Sequence, residues 1–309
     1  MEFKHIPVLL NECIEGLNIK SDGIYVDGTL GGAGHSKVIL EKLSEKGLLI
    51  GIDRDTEALE AANNKLKHYN NIKYIHGNHD NIKKILFDLS IEKVDGILLD
   101  LGVSSYQLDE KSRGFSYIGN NDLDMRMDKT QEKTAKTIVN NYSEEELIRI
   151  LFEYGEEKFA RNIARNICKQ REISKIETTA DLVKIIENSI PRSKQKDGHP
   201  GKRTFQAIRI EVNDELEPLR KTVKDCIEAL KSGGRLCIIT FHSLEDRAVK
   251  EAYIDAIGKC ICPKDLPYCI CNNKSLGNVV NKKPILASNE ELKLNSRSQS
   301  AKLRIFEKQ

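Results

Sequence analysis

Residues 24–36 read Ile-Tyr-Val-Asp-Gly-Thr-Leu-Gly-Gly-Ala-Gly-His-Ser. An apolar run closes on Asp27, four glycines follow at Gly28, Gly31, Gly32 and Gly34, and a helical pattern opens near Ser36. The order is strand, tight loop, helix start. Glycine is needed where the backbone takes positive φ or a ligand touches the main chain, and the free N–H groups of a helix's first turn attract negative charge. Taken alone, the cluster is as compatible with an ordinary turn as with a cofactor cradle.

The next segments favour the cradle. Residues 48–53, Leu-Leu-Ile-Gly-Ile-Asp, form a buried parallel strand ending on Asp53, 26 residues after Asp27. An acid at the end of the second strand of a βαβ unit comes within reach of both hydroxyls of a bound ribose. The competing role is a cap for the helix that begins near Thr56. A third strand covers residues 72–76, with His79 just beyond it, and a fourth covers 94–99 and closes on Asp100. This alternation predicts an α/β fold with a doubly wound, mostly parallel sheet, whose ligands bind beyond the carboxyl ends of the strands. Asp27, Asp53, His79 and Asp100 all fall there. The first segment, with His5, Val8, Leu9 and Leu10, reads as an N-terminal cap docked beside the first strand.

Neither common phosphate motif fits the loop. A dinucleotide fingerprint needs a third glycine where Lys37 stands, and a P-loop needs Lys at His35 and Gly at Thr29. S-adenosylmethionine has no phosphates: its carboxylate suits the loop N–H groups, its ribose Asp53, and its cationic sulfur an acidic rim. A methyltransferase is the expectation, with a nucleotide-binding oxidoreductase as the alternative.

More than a hundred residues separate Asp100 from the next expected strand, 235–241, far beyond one crossover helix. A helical domain is therefore expected in between. Residues 113–128 look too polar for core and suggest an active-site loop. Ser143 and Glu146 form a capping box. Lys158, Arg161, Arg165 and Lys169 recur at helical steps as a basic stripe, and residues 191–203 add Arg192, Lys194, Lys196, Lys202 and Arg203. A stripe of this kind is commonly a solvated face, but the adjoining basic loop makes an RNA-facing insertion the sharper expectation. Asp214 and Glu217 are expected to cap a helix reaching Lys231. Beyond the next strand Ser243 and Asp246 read as an N-cap box, while His242 is placed equally well as a core or a site residue. Residues 283–286 and 301–306 read as the last strands.

Composition fits a globular chain: 309 residues, 39% apolar and 31% charged, with 49 Lys+Arg against 47 Asp+Glu for a net charge of +2. That balance does not by itself imply nucleic acid. No stretch has the length of a membrane span and the N-terminus lacks a signal-peptide layout, so a cytoplasmic protein with reduced cysteines is expected. Four of its eight cysteines, Cys260, Cys262, Cys269 and Cys271, lie in two C-x-C pairs. Four thiolates suit tetrahedral zinc, but the spacing differs from C-x2-C knuckles, and reduced thiols in a loop are the other reading.

Seven blocks now carry a resemblance: residues 27–36, 51–55, 99–105 (Leu-Asp-Leu-Gly-Val-Ser-Ser), 123–128 (Leu-Asp-Met-Arg-Met-Asp), 205–213, 241–247 and 300–304. In this order they resemble the bacterial small-subunit ribosomal RNA cytosine-N4 methyltransferases, the RsmH or MraW family. The resemblance implies a class I, Rossmann-like methyltransferase fold, divided here as 1–107 and 214–309 around an inserted helical domain at 108–213. It implies S-adenosylmethionine as donor, S-adenosylhomocysteine as product, and N4 methylation of a decoding-centre cytosine in 16S rRNA, within the 30S subunit, by a monomer or homodimer. Its cofactor contacts fall on Ala33, Gly34, His35, Asp53, His79, Asp100 and Gln107. The family pattern usually has Phe where His79 stands, and an imidazole offers an adenine less apolar area. The cysteine cluster occurs in only some relatives.

The N4 lone pair of cytosine is delocalised into the ring, so transfer needs an acceptor for the amino hydrogens and alignment with the C–S bond. Asp100, Ser104 and His242 are the candidates for that work. A base splayed from folded RNA needs aromatic contact, for which Tyr106, Phe115 and Tyr117 are expected, and phosphate contact, for which Arg113, Arg126, Lys158, Arg161, Arg165, Lys202 and Arg203 are expected. A methyltransferase for DNA or a small molecule, and a non-catalytic RNA-binding assembly factor, are the alternatives.

Overall fold

A computed structural model describes residues 7–195, 198–258, 262, 268 and 274–309. The chain forms two compact units, one of Met1–Gly102 with Leu216–Gln309 and one of Val103–Glu215. The helical unit is a few residues wider at each end than the expected 108–213. Its N-terminal limit falls just before a helix whose capping box starts at Ser104.

In the first unit, α1 (Leu10–Leu17) precedes β1 (Ile24–Asp27), α2 (Gly34–Lys42), β2 (Leu48–Asp53), α3 (Thr56–Leu66), β3 (Ile72–His76), α4 (Ile82–Asp88) and β4 (Val94–Asp100). The helical unit then supplies α5 (Ser105–Asp109), α6 (Ala135–Asn141), α7 (Glu144–Glu153), α8 (Ala160–Ile173), α9 (Thr179–Ser189) and α10 (Lys202–Asn213). The chain returns to the first unit through α11 (Leu219–Ala229), β5 (Leu230–Thr240), α12 (Ser243–Ile257), β6 (Gly277–Val279), α13 (Asn289–Leu294) and β7 (Lys302–Lys308).

The seven strands make one sheet in the order β3-β2-β1-β4-β5-β7-β6. Five strands, β3 to β5 in that order, run parallel, while β7 pairs antiparallel with both β5 and β6. Strands buried on both faces read as continuous apolar runs, as Val94–Asp100 does before its terminal acid. One core cluster joins Val26, Ile97, Leu99 and Ile238 to α11 and α12, and the other joins Tyr25, Leu49, Leu98 and Ile239 to α1 and α2. The sheet is thus covered on both faces. Its ends are in register, with Asp27 opposite Gly51 and Leu98, and Asp53 opposite His76.

Three local expectations are corrected. The segment at 283–286 is not a strand; Ile285 makes a single bridge to Leu303, and the edge strand is β6. Helix α11 is capped by neither Asp214 nor Glu217: it opens after Pro218 and stops at Ala229, while Asp214 closes α10 with φ of 49°. At α12 the capping box is one residue earlier than expected, His242 with Glu245. Asp246 instead bonds Arg304 Nε at 2.7 Å and Lys302 Nζ at 3.2 Å, so those two bases tie β7 to α12.

The helical unit has its own core, built from Ile138, Leu147, Ile150, Ile163, Ile167, Ile186, Phe205 and Ile208 among others. No helix among the described residues is long and apolar enough to cross a membrane.

Candidate active site

The glycine loop is tied to the strands on either side of β1. Gly28 N donates to Leu98 O at 2.9 Å and Leu30 N to Ile52 O at 3.0 Å. Asp27 is buried and staples the loop to α2: Oδ1 accepts from Thr29 N at 3.2 Å and Oδ2 from Ser36 Oγ at 2.6 Å. Helix α2 starts two residues earlier than the pattern suggests, because Ala33, its N-cap, sits fully buried in the left-handed region at φ 53°. A non-glycine residue held there costs about 1 kcal/mol or more and persists only where its surroundings impose it. At Gly28 a Cβ would lie 2.4 Å from Leu99 Cδ2 and 3.1 Å from His79 Cβ, so a side chain has no room.

Asp53 is not the cap of α3. That role belongs to Asp55, which accepts from Glu57 N at 3.1 Å. Asp53 turns toward the loop, where Oδ2 accepts from Gly31 N at 2.8 Å and Oδ1 from Asp55 N at 2.9 Å. Burial raises its pKa to about 6, so the carboxylate is ionised near neutrality. His79 opens a short turn after β3, and burial, with Arg54 nearby, lowers its pKa to about 3. A neutral, flat ring therefore stands beside Gly28.

Asp100 ends β4 beside the loop, and its backbone N–H donates to Thr29 Oγ1 at 2.6 Å. Its carboxyl Oδ1 is buried without a hydrogen-bond partner, and Oδ2 is 4.0 Å from His35 Nδ1. Burial, then the nearby Asp27 and Glu245, raise its pKa to about 8. A buried acceptor left unpaired is costly unless something else meets it. His35, also buried, bonds Val8 O through Nε2 at 2.9 Å, and burial lowers its pKa to about 4. Because Nε2 must carry the hydrogen to bond a carbonyl, Nδ1 presents a lone pair toward Asp100.

His242 lies beyond β5, where its Nδ1 accepts from Glu245 N at 3.4 Å and its Nε2 is 3.1 Å from Glu245 Oε1. Glu245 is buried and accepts from Phe241 N at 2.8 Å. The strand end thus gathers Asp27, Asp100 and Glu245, a carboxylate-rich wall suited to a cation. Sequence reasoning passes over Glu245 and Thr29, because a capping acid and a loop hydroxyl look ordinary there.

In the helical unit the expected substrate residues divide. Arg113 is buried and its Nη2 donates to Arg126 O at 2.9 Å and Met127 O at 3.1 Å, so it braces the main chain and is not available to RNA. Phe115 lies in the core with Leu123, Met125 and Met127, which corrects the expectation of a polar loop at 113–128. The backbone of the segment is also held from α10, where Asn213 Oδ1 accepts from Met127 N and its Nδ2 donates to Met125 O, both at 2.8 Å. Arg126 pairs with Asp124 through Nε and Nη2, both at 2.8 Å, and holds Gln131 O at 2.7 Å. Ser104 caps α5 and accepts from Gln107 N at 3.2 Å, while Gln107 Oε1 accepts from Ser104 N at 3.1 Å.

Tyr106 is exposed, as are Lys158, Arg161, Arg165, Lys202 and Arg203. Arg203 also holds Glu156 O at 3.1 Å, and Arg165 is 4.0 Å from Glu144. Lys158 and Arg161 line an open groove of about 610 Å³ with Phe152, whose side chain is 67% exposed. Tyr117 stacks on His199 with ring centroids 4.3 Å apart. His5 and Lys196 lie outside the described residues, as do Cys260, Cys269 and Cys271 of the cysteine cluster. Among the described residues no group of three or more His, Cys, Asp or Glu is placed to hold a metal ion.

A sequence pattern described as the MraW methylase family matches residues 2–309. The chain belongs to the MraW methylase family. Two relatives from Clostridium botulinum, strain 657 / Type Ba4 and strain Kyoto / Type A2, both named ribosomal RNA small subunit methyltransferase H, are 58% identical over 308 residues, covering 100% of this chain and 100% of each relative. A solved rRNA methylase from Streptococcus thermophilus is a remoter likeness, with 13% identity, a TM-score of 0.41 and 98% of each chain covered. For a methylase of the MraW family the strand-end residues fit S-adenosylmethionine on two counts: the unpartnered Asp100 Oδ1 in an acidic wall suits a cation, and the closely packed Gly28 turn suits a ligand lying on main chain.

Proposed function

We propose that this methylase transfers the methyl group of S-adenosylmethionine to the exocyclic N4 of a decoding-centre cytosine in 16S rRNA, acting on the 30S subunit in the cytoplasm. The observation that carries the site assignment is the buried, unpartnered Oδ1 of Asp100 at the end of a parallel strand, beside the glycine loop. The relatives' shared name, ribosomal RNA small subunit methyltransferase H, supports the substrate class.

When bound, the cofactor supplies a methyl group on a positively charged sulfur. Ala33, Gly34 and the first turn of α2 would hold its carboxylate, Asp53 its ribose hydroxyls, and His79 one face of its adenine. Asp100 has two tasks. Its ionised carboxylate balances the sulfonium, and Oδ1 accepts a hydrogen of the cytosine amino group, which turns the nitrogen lone pair out of conjugation and toward the methyl carbon. Once methylated, the nitrogen is strongly acidic, and its proton leaves to Asp100 or to water. Orientation in a dry, preorganised field therefore matters more than a strong dedicated base. Lys158, Arg161, Arg165, Lys202 and Arg203 are proposed as phosphate contacts and Tyr106 as an aromatic contact for the splayed base. Ser104 and His242, each the cap of a helix, are proposed to help orient the amino group, and Gln107 to contact the cofactor.

The test is labelled methyl transfer to 30S subunits lacking the modification, with the product nucleoside identified. Label on cytosine N4 is expected. Label on a ring carbon or on adenine, or transfer only to DNA, would overturn the proposal.

A further inference from the structure

The N-terminal strap over the glycine loop is held by a residue 282 positions away in the sequence. Leu9 N donates to Glu291 Oε1 at 2.8 Å, and the same oxygen accepts from Ser298 Oγ at 2.7 Å. Leu9 is buried in the left-handed region at φ 52° as the N-cap of α1, where no side chain caps it. Its N–H therefore meets a carboxylate from α13, just ahead of the turn at Ser296–Ser300. One residue back, Val8 O accepts from His35 Nε2 at 2.9 Å. One further back, Pro7 covers Gly34 so closely that a Cβ there would be 2.2 Å from its Cγ. Three consecutive residues thus bind α13, the buried histidine and the loop glycine in turn.

We propose that Glu291 is a positioning residue for the cofactor loop: by fixing Leu9 N it sets residues 7–9, which in turn fix the His35 ring and cover Gly34. The inference rests on the reading of that loop as the S-adenosylmethionine site. The physical logic is preorganisation. A left-handed leucine, a strap without repetitive hydrogen bonding and a glycine turn are all entropically free to relax, and a charge-assisted hydrogen bond holds them in the conformation the ligand needs. His35 gains a fixed tautomer, with its Nδ1 lone pair aimed at Asp100. Losing the anchor removes preorganisation without deleting any cofactor-touching group, so donor binding weakens while turnover at saturation does not.

The test compares Glu291→Ala, Glu291→Gln and Ser298→Ala in the full chain. S-adenosylhomocysteine affinity is measured by calorimetry, Leu9 amide exchange by hydrogen–deuterium exchange, and the His35 tautomer by nitrogen NMR. For Glu291→Ala the expectation is about a tenfold higher Kd for S-adenosylhomocysteine, equivalent to about 1.4 kcal/mol. KM for the donor should rise with it, kcat should stay within twofold, Leu9 exchange should be faster and the His35 ring should show mixed tautomers. The glutamine amide oxygen can still accept from Leu9 N, so Glu291→Gln should keep the Kd within about threefold of wild type, and Ser298→Ala should fall between. Faster Leu9 exchange in Glu291→Ala with unchanged Kd and unchanged His35 signals would overturn the proposal. Should Glu291→Ala fail to fold, Ser298→Ala decides by the same readouts. A wild-type chain that binds no S-adenosylhomocysteine would overturn the cofactor reading as well; wild-type binding with indifferent variants would overturn the strap alone.

Discussion

On the proposed reading Asp100 faces a donor whose sulfur is cationic and a product whose sulfur is neutral, and its raised pKa makes that difference measurable. With a value of about 8 the carboxyl is mostly protonated at pH 6 and mostly ionised at pH 9. Only the ionised form favours the sulfonium. The preference for S-adenosylmethionine over S-adenosylhomocysteine should therefore rise with pH, by up to about tenfold per unit below pH 8, and level off above it. Calorimetric titration of both ligands from pH 6 to 9 checks this, and Asp100→Asn should give a flat ratio. The pKa of His79 is shifted the other way. Its folded pKa is lowered to about 3 from an ordinary 6.5, so unfolding takes up a proton below pH 6.5 and stability falls as pH drops from there. His79→Phe should remove that share of the acid loss, visible as a smaller drop in Tm between pH 7 and 5. It should also tighten S-adenosylhomocysteine binding, because a larger apolar face meets the adenine. Unchanged affinity would mean that His79 does not face the ligand, and an unchanged acid loss that burial does not hold its ring neutral.

At the scale of elements, the loop and strand ends are legible in the sequence because each carries a local rule: an apolar run, an acid at its end, glycines where the chain turns. The segment 113–128 misleads because its charges look like a solvent signal. In the structure Arg113 and Asn213 direct their donors to backbone carbonyls, and Phe115, Met125 and Met127 fill the space between. Arg113→Met should leave carbonyls without donors and cost about 2–4 kcal/mol, lowering Tm by several degrees. Lys158→Gln with Arg161→Gln should behave in the reverse way. Both side chains are exposed, so Tm should hold, while RNA affinity falls and the slope of log affinity against log salt shrinks by roughly 0.7–0.9 for each phosphate no longer neutralised. Filter binding across a salt series separates the two. The two shifted helix starts have different causes: at α12 Asp246 is drawn to Arg304 and the cap passes to His242, whereas α11 opens after Pro218 with no side-chain cap. Nothing local marks Glu291, since its partner is at the other end of the sequence.

For the whole molecule, the doubly wound, mostly parallel sheet and the break after β4 follow from alternating strands, helices and one gap too long for a crossover. The antiparallel placement of β7 between β5 and β6 does not, because pairing direction at a sheet edge leaves no trace in periodicity. The helical unit has a core of its own, with Leu147, Ile163, Ile186 and Ile208 fully buried. Residues 103–215 expressed alone should therefore give a helical spectrum and a single cooperative melt; a broad, non-cooperative one would show that its core needs the sheet unit. The interruption of the sheet also bears on how the chain reaches its fold. Leu98 must find Cys237 as its neighbour across the entire helical unit. The entropy of closing so long a loop grows only logarithmically with its length, yet searching it as loose chain is slow. A unit that condenses early on its own core replaces that loose span with a folded body whose ends no longer search freely. The timing of sheet completion is then set by the helices it encloses in sequence, and core mutations there should slow assembly of a sheet to which they do not belong.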